Sequence, residues 1–257
     1  MCAEYNENRR RDDDGPAGAV IPYMNTEGIK QIFSEAAATY EVVNHVLTFG
    51  LDRAWRKKAA GEAAQAGQGL WLDACSGTGD MALSLSRLAG EDTTIIASDM
   101  NLPMLRKAFS KFGKSGAKTV RFCISDSRHL PFADEAFDLV TIAFATRNLN
   151  INRDALLQCF REFRRVLKPG GIFVNLETSQ PASKILRCLF HTYVRLFVTP
   201  VGYAISGSKA AYTYLSSTIP RFFGAPELSD MLYEAGFIRV KFSRLTLGVC
   251  AIHTAVR

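Results

Sequence analysis

From about residue 70 onward two hydrophobic rhythms alternate along the chain. "LWLDA", "TTIIASD", "TVRFCIS", "FDLVTIAFA" and "IFVNLET" are short, nearly continuous apolar runs, the pattern of strands covered on both faces. Helical patterns lie between them. One follows Gly79, and another, "NLPMLRKAFSKF", has Asn101 as a candidate cap. A third spans residues 153–168, with Leu156, Cys159, Phe160, Phe163, Val166 and Leu167 on one face, and "KPGG" is expected to end it. Upstream, residues 26–66 read as helical. Asn25 or Thr26 can cap the first helix, Ile29, Ile32, Phe33 and Ala36 share a face, and "LTFG" at 47–50 breaks the pattern before a second helix around Trp55.

This alternation predicts an α/β fold with a parallel, doubly wound sheet. The chain ends differently. "FIRVKFSRL" and "GVCAIHTAV" are two strand patterns joined by a few residues around Thr246, too short a link for a parallel crossover, so they must pair antiparallel. A seven-stranded, mostly parallel Rossmann-like sheet closed by an antiparallel hairpin is the layout of class I methyltransferases. Plain dinucleotide folds usually lack that hairpin.

Before the hairpin, "SKILRCLFHTYVRLFVTP" places Ile185, Leu186, Leu189, Phe190 and Phe197 at helical spacing, with Lys184, Arg187 and Arg195 as a basic side. It reads either as a helix packed on the sheet, or as a lid over an apolar substrate or a membrane-surface contact. The expected organisation is a disordered polar tail over 1–22 and one domain over 23–257, with an N-terminal helical cap at 23–66 and a helical insertion at 183–220.

Composition changes this picture little. The 257 residues carry a formal charge of +6, compatible with nucleic acid or an anionic membrane but decisive for neither. Six scattered cysteines form no C-x-x-C pair, as expected of free thiols in a reducing cytoplasm. No uncharged apolar run approaches the roughly 20 residues of a spanning helix, so a cytoplasmic protein, at most peripheral to a membrane, is expected. His45, His129 and His191 stand apart without metal-like spacing, and no metal is expected.

Chemistry concentrates in "WLDACSGTGDMA". Gly77, Gly79 and Ala82 fit the G-x-G-x-x-A form of a dinucleotide loop. Gly77 and Gly79 permit a sharp turn and close approach to a ligand. Asp73 sits near the end of the first strand, and Asp99 ends the second, where a carboxylate can accept both ribose hydroxyls of NAD or of S-adenosylmethionine. Asp80 falls where a pyrophosphate would sit and would repel it. A sulfonium and an ammonium, by contrast, are offset by carboxylates such as Asp73 and Asp80. Asp80 also reads as a plain helix cap. Asp126 and Ser127 follow the third strand, where Asp126 can meet an exocyclic amine.

Together these residues resemble the UbiE-type C-methyltransferases of ubiquinone and menaquinone biosynthesis, from Phe33 to His253. "FSEAAATYEVVNHVLTFGLDRAWRK" is similar to the opening signature, "LDACSGTGD" to the cofactor loop, "FATRNL" to an F-G-L-R-N segment, and "FREFRRVLKPGGIFVNLETSQP" to R-V-L-K-P-G-G followed by L-E-F-S-x-P. "AYTYLSSTI" and "LTLGVCAIH" resemble the closing motifs. The resemblance implies S-adenosyl-L-methionine as cofactor, with Thr78, Asp99, Asp126 and Ser127 among its contacts; Asp73, Gly77, Gly79 and Met100 complete the expected set. Four positions depart: Ala143 stands where the family has serine, Glu41 replaces an aspartate, and Ala145 and Thr146 replace Gly-Leu.

The implied reaction methylates a ring carbon of a polyprenylated quinol, demethylmenaquinol or a methoxy-polyprenyl-benzoquinol. Such a carbon is nucleophilic once the neighbouring hydroxyl has lost its proton. Arg147 and Asn148 are the candidate catalytic pair. Arginine stays protonated, so it is expected to stabilise the oxyanion while a water relays the proton; Arg147 also reads as a surface ion pair. Tyr40 covers the cofactor or packs in the core. His253, inside a hairpin strand, reads as structural, with acid–base work as the alternative. "FATRNL" is not the N/D-P-P-Y/F type used on exocyclic amines, so nucleic acid is not expected as acceptor. Another small phenol or lipid acceptor, and a non-catalytic S-adenosylmethionine-binding role in a quinone-biosynthesis assembly, stay open. Exposed faces of 183–220 can support a homodimer.

Overall fold

The computed structural model describes residues 26–115 and 120–257; the tail expected over 1–22 lies outside them. Seven strands run in chain order as β1 (Leu70–Ala74), β2 (Thr94–Asp99), β3 (Val120–Ile124), β4 (Phe137–Ala143), β5 (Leu167–Thr178), β6 (Ile238–Leu245) and β7 (Cys250–Val256). The helices are α1 (Thr26–Ala36), α2 (Tyr40–Leu47), α3 (Leu51–Ala63), α4 (Asp80–Ser86), α5 (Leu102–Ser115), α6 (Thr146–Leu149), α7 (Arg153–Val166), α8 (Lys184–Tyr193), α9 (Thr199–Ser206), α10 (Lys209–Thr218) and α11 (Ala225–Glu234).

The strands form one sheet in the order β3-β2-β1-β4-β5-β7-β6. β1 pairs parallel with β2 and β4, whereas β7 runs antiparallel to β6, as the short link at Thr246 requires, and also to β5. The order reverses beside β1, so the C-terminal ends of β1, β2 and β4 open a crevice there, where ligands of open α/β sheets bind.

Two apolar layers cover the sheet. On one side α7 and α11 bury Phe160, Phe163, Leu228 and Met231 against Phe173 and Phe237. On the other, α3 and α4 bury Ala59, Ala60, Met81 and Leu85 against Trp71, Ile95 and Val174. Each fully buried Leu or Phe contributes about 2–3 kcal/mol. α7 stops at Val166, two residues before the expected end: Leu167 is already extended and pairs with Phe137. Pro169 disfavours helical backbone at Lys168, and the register shift between Phe137 and Leu139 takes up "KPGG" as a bulge in β5.

The insertion also differs from the packed-helix expectation. α8 buries none of its side chains. The segment packs instead on the N-terminal cap: Val194, Val198, Tyr212 and Leu215 join Ile32, Phe33 and Val43 in a third apolar cluster. Phe33 meets Tyr214 edge-on, and the Tyr193 hydroxyl donates to the Leu47 carbonyl at 2.7 Å.

Candidate active site

The glycine loop is built by two carboxylates. Asp73, fully buried, accepts from Ser76 Oγ at 2.5 Å, Thr141 Oγ1 at 2.8 Å and the Ala82 N–H at 3.1 Å. Burial raises its pKa to about 6 despite these bonds. Asp99 accepts the Gly77 N–H at 2.8 Å and the Asn101 N–H at 2.7 Å; burial raises its pKa too. Both carboxylates line one cleft, together with Gly77, Thr78, Met100 and Ser127.

The loop backbone needs its glycines for different reasons. Gly77 sits at φ +56° beside the ligand space, with its N–H on Asp99. Gly79, at φ +81°, does not line the cleft. A Cβ there would stand 3.0 Å from Ala108 and 3.1 Å from Phe112, so this glycine serves the close approach of α5. That places its expected ligand contact in packing instead.

Asp80 is also repositioned. It makes no cap hydrogen bond; its carboxylate pairs with Lys111, which also holds Glu41 at 2.8 Å. The charge that was expected to repel phosphate is thus compensated. Phosphate is disfavoured by a different feature: the N–H groups of Gly77 and Ala82, which a dinucleotide loop offers to its pyrophosphate, already serve Asp99 and Asp73. A carboxylate-rich cleft suits a cationic ligand. Two further residues line the same space: Ser125 and Asn148, whose Oγ and Oδ1 are buried and find no hydrogen-bond partner among the described residues. The residues therefore fit the ribose hydroxyls, sulfonium and ammonium of S-adenosylmethionine.

Asp126 lies in the cleft wall, in a fork with Arg128 whose closest contact is 2.6 Å; that bond lowers its pKa. An amine at this position would share the carboxylate with Arg128. The Ser127 hydroxyl pairs with the Cys75 thiol at 3.0 Å.

The far end of the cleft is walled by Tyr40, Arg56, Phe144, Ala145 and Asn148. Cys75 (φ +51°) and Phe144 (φ +57°) both hold left-handed backbone just past their strands. Such geometry costs about 1–2 kcal/mol in a non-glycine residue and clusters where a site over-determines it. Arg147 does not line the cleft. It is buried behind this wall, its N–H on Glu177 Oε2 at 3.1 Å and its guanidinium 3.6 Å from Glu177 Oε1. Burial raises the Tyr40 hydroxyl pKa, with Arg147 and Arg56 opposing the shift. Asn148 is brought to the cleft; Thr146 is not, its hydroxyl bonding Asn175 at 2.5 Å in the core. Glu41 belongs to the Lys111 bridge. Of the departing positions, Ala143 and Ala145 line the cleft.

Sequence reading missed Arg56 and Glu177. Arg56 bonds Asp52 at 2.6 Å, stacks 5.0 Å over Phe144 and faces the cleft. Its one signal was its place after Trp55 in the opening signature; Glu177 carried a signal only as the Glu of "NLETSQP". His253 is structural, bonding the Ala225 carbonyl at 2.9 Å in the core, where burial lowers its pKa to about 4. No cluster of three or more His, Cys, Asp or Glu able to hold a metal occurs among the described residues.

Sheet order, terminal hairpin and a carboxylate-rich crevice at the switch point define a class I methyltransferase. Comparison with known proteins agrees. A methyltransferase from Aquifex aeolicus superposes with a TM-score of 0.57 at 18% identity, over 91% of this chain and 98% of its own. The [4+2]-cyclase SpnF superposes at 0.64 and 16% identity, over 91% and 96%. Likeness at this identity shows the fold alone. Sequence goes further: residues 22–257 match the ubiE/COQ5 methyltransferase family. "Ubiquinone/menaquinone biosynthesis C-methyltransferase UbiE" of Pseudomonas savastanoi pv. phaseolicola is 34% identical over 98% of this chain and 99% of its own, and that of Azotobacter vinelandii is 35% identical over 89% of each. The chain belongs to the ubiE/COQ5 methyltransferase family, an S-adenosylmethionine-dependent enzyme family.

Proposed function

We propose that the protein methylates a ring carbon of a polyprenylated quinol, a demethylmenaquinol or a methoxy-polyprenyl-benzoquinol; its relatives are C-methyltransferases of ubiquinone and menaquinone biosynthesis. The observation that carries this reading is one cleft joining the Asp99 end to an end walled by Asn148, Arg56 and Tyr40. Asp99, Met100 and Thr78 hold the nucleoside and Asp73 the cationic end; Gly77 gives close approach, and Asp126 and Ser127 border the base. When bound, S-adenosylmethionine supplies an electrophilic methyl group.

The protein's remaining task is to place the ring and favour its phenolate. Asn148 Oδ1 orients the acceptor hydroxyl. Arg56 and Arg147 raise the positive potential at that end, which lowers the hydroxyl's pKa in a site of low dielectric. Tyr40 covers the junction and excludes water. A polyprenyl tail partitions into lipid, so the enzyme works as a peripheral protein on a membrane surface; no described helix is long and apolar enough to cross one.

The test is transfer of a deuterated methyl from S-adenosylmethionine to short-tailed demethylmenaquinol and to the benzoquinol analogue, read by mass spectrometry. A methylated ring supports the reading and identifies the ring. Cofactor binding without transfer to either acceptor overturns it and favours another phenol or a non-catalytic role.

A further inference from the structure

We propose that the α8 face is the surface by which this protein docks on an anionic lipid bilayer, so that its cleft is loaded from the membrane; the loading rests on the polyprenyl-quinol reading. Three observations converge. The first is an uncovered apolar stripe. Ile185 and Leu189 are 75% and 62% exposed, one helical turn apart on α8, and Tyr193 and Phe197 continue the line with their rings stacked at 5.3 Å. Phe49, 81% exposed beyond the end of α2, packs its ring 6.1 Å from Tyr193 and extends the patch onto the N-terminal cap. Clustered exposed aromatic and aliphatic side chains of this kind are uncommon on a surface that meets only water.

The second is charge. Between Glu177 and Glu227 the chain has no acidic residue, while Lys184, Arg187, Arg195, Lys209 and Arg221 are basic. Lys184, Arg187 and Arg195 are exposed on the segment that carries the stripe. A basic rim around an apolar stripe matches an interfacial helix on anionic headgroups, with apolar side chains below them and cations at their level. A second copy of the chain would set these cations against each other, because an isologous contact brings the same patch together.

The third is position. The same segment buries Val194, Val198 and Tyr214 against α1 and α2, and Phe33 and Tyr40 of that layer line the cleft. The segment that carries the docking face and the cleft thus share one helical layer. A quinol whose tail stays in the bilayer needs only its head to pass that layer.

The experiment is flotation of the full-length protein with vesicles of phosphatidylcholine alone and of phosphatidylcholine with about a third phosphatidylglycerol. The wild type is expected to float with the anionic vesicles and to release as salt rises. Leu189→Glu/Phe197→Glu should lose about tenfold or more in vesicle affinity, and Lys184→Gln/Arg195→Gln should lose the preference for anionic lipid. All these side chains are exposed, and circular dichroism checks that the variants stay folded. Equal flotation of wild type and both variants overturns the proposal, as does a wild-type dimer that fails to float and that Leu189→Glu/Phe197→Glu converts to monomer. Turnover of a short-tailed, water-soluble quinol is expected to be unchanged in both variants, while turnover of a long-tailed quinol in vesicles falls with docking. Failure of the wild type on the short-tailed quinol sinks the quinol reading; flotation reads the docking face separately.

Discussion

Glu177 clamps Arg147 from two sides: one carboxylate oxygen accepts its backbone N–H at 3.1 Å and the other lies 3.6 Å from its guanidinium, with both side chains buried. Removing one partner of such a pair strands a buried charge, at a cost of about 3–5 kcal/mol. Arg147→Ala is therefore expected to abolish turnover and also to lower the melting temperature, with S-adenosylmethionine affinity retained in the folded fraction. Glu177→Gln is the gentler test. It keeps an acceptor for the Arg147 N–H but removes the negative charge that raises the Tyr40 pKa. A drop in kcat with unchanged cofactor KM, and an acidic limb of the pH–kcat profile moved to lower pH as the acceptor phenol loses its proton more readily, marks Glu177 as the positioning residue for Arg147. An unaltered pH profile would make the pair purely structural.

Asp99 serves both the loop and the ligand space. Its bonds to the Gly77 and Asn101 N–H groups fix the turn, and its carboxylate lines the cleft. Asp99→Ala removes charge-assisted hydrogen bonds of about 1.5–3 kcal/mol each, so titration calorimetry should show cofactor affinity weakened by on the order of 10- to 100-fold. Asp99→Asn, which keeps acceptors but not charge, should fall between. Wild-type affinity in both variants would move cofactor recognition elsewhere.

The sequence made the local parts of this site legible. The strand-turn-helix at Gly77 is contained in a dozen residues, and the hairpin at Thr246 follows from the length of its link. Long-range partners were hidden. Glu177 meets Arg147 across 30 positions and Lys111 meets Asp80 across 31, so no local pattern joins them. Asp80 shows the consequence: read alone it repels phosphate, and read with Lys111 it does not. Helical spacing at 185–197 announced an amphipathic segment but not what its apolar side faces, since periodicity is the same for a helix buried on a sheet and one left uncovered.

Lys111 bridges Asp80 at the start of α4 to Glu41 on α2, and thus ties the cap over the cofactor cleft to the glycine loop. Lys107 adds bonds to the carbonyls of Ala37 and Ala38 at 3.1 and 2.9 Å. Lys111→Met is expected to speed S-adenosylmethionine release several-fold in stopped flow and to leave global stability within about 1 kcal/mol, because the bridge is partly solvated. Combining it with Glu41→Gln should add less than the sum of the single effects. Strict additivity would show that the two residues act apart.

Asp73 and His253 give the fold opposite responses to acid. Asp73 has a folded pKa near 6, above the ordinary 3.8. The folded protein takes up its proton first, so this group gains stability as pH falls from about 6 to 4 and loses it as pH rises through 6. His253 has a folded pKa near 4, below the ordinary 6.5. The unfolded chain takes up that proton first, so stability is present above 6.5 and drains as pH falls towards 4. Each shift is worth about 3 kcal/mol at most, and the two largely cancel in the wild type. Urea midpoints from pH 7 to pH 4 should separate them. His253→Gln, which keeps a donor for the Ala225 carbonyl, should hold its stability better than wild type on acidification; Asp73→Asn should lose it faster. The other carboxylates are common to all three proteins and drop out of the differences. Parallel pH curves for the three would show that neither group's environment shifts its titration.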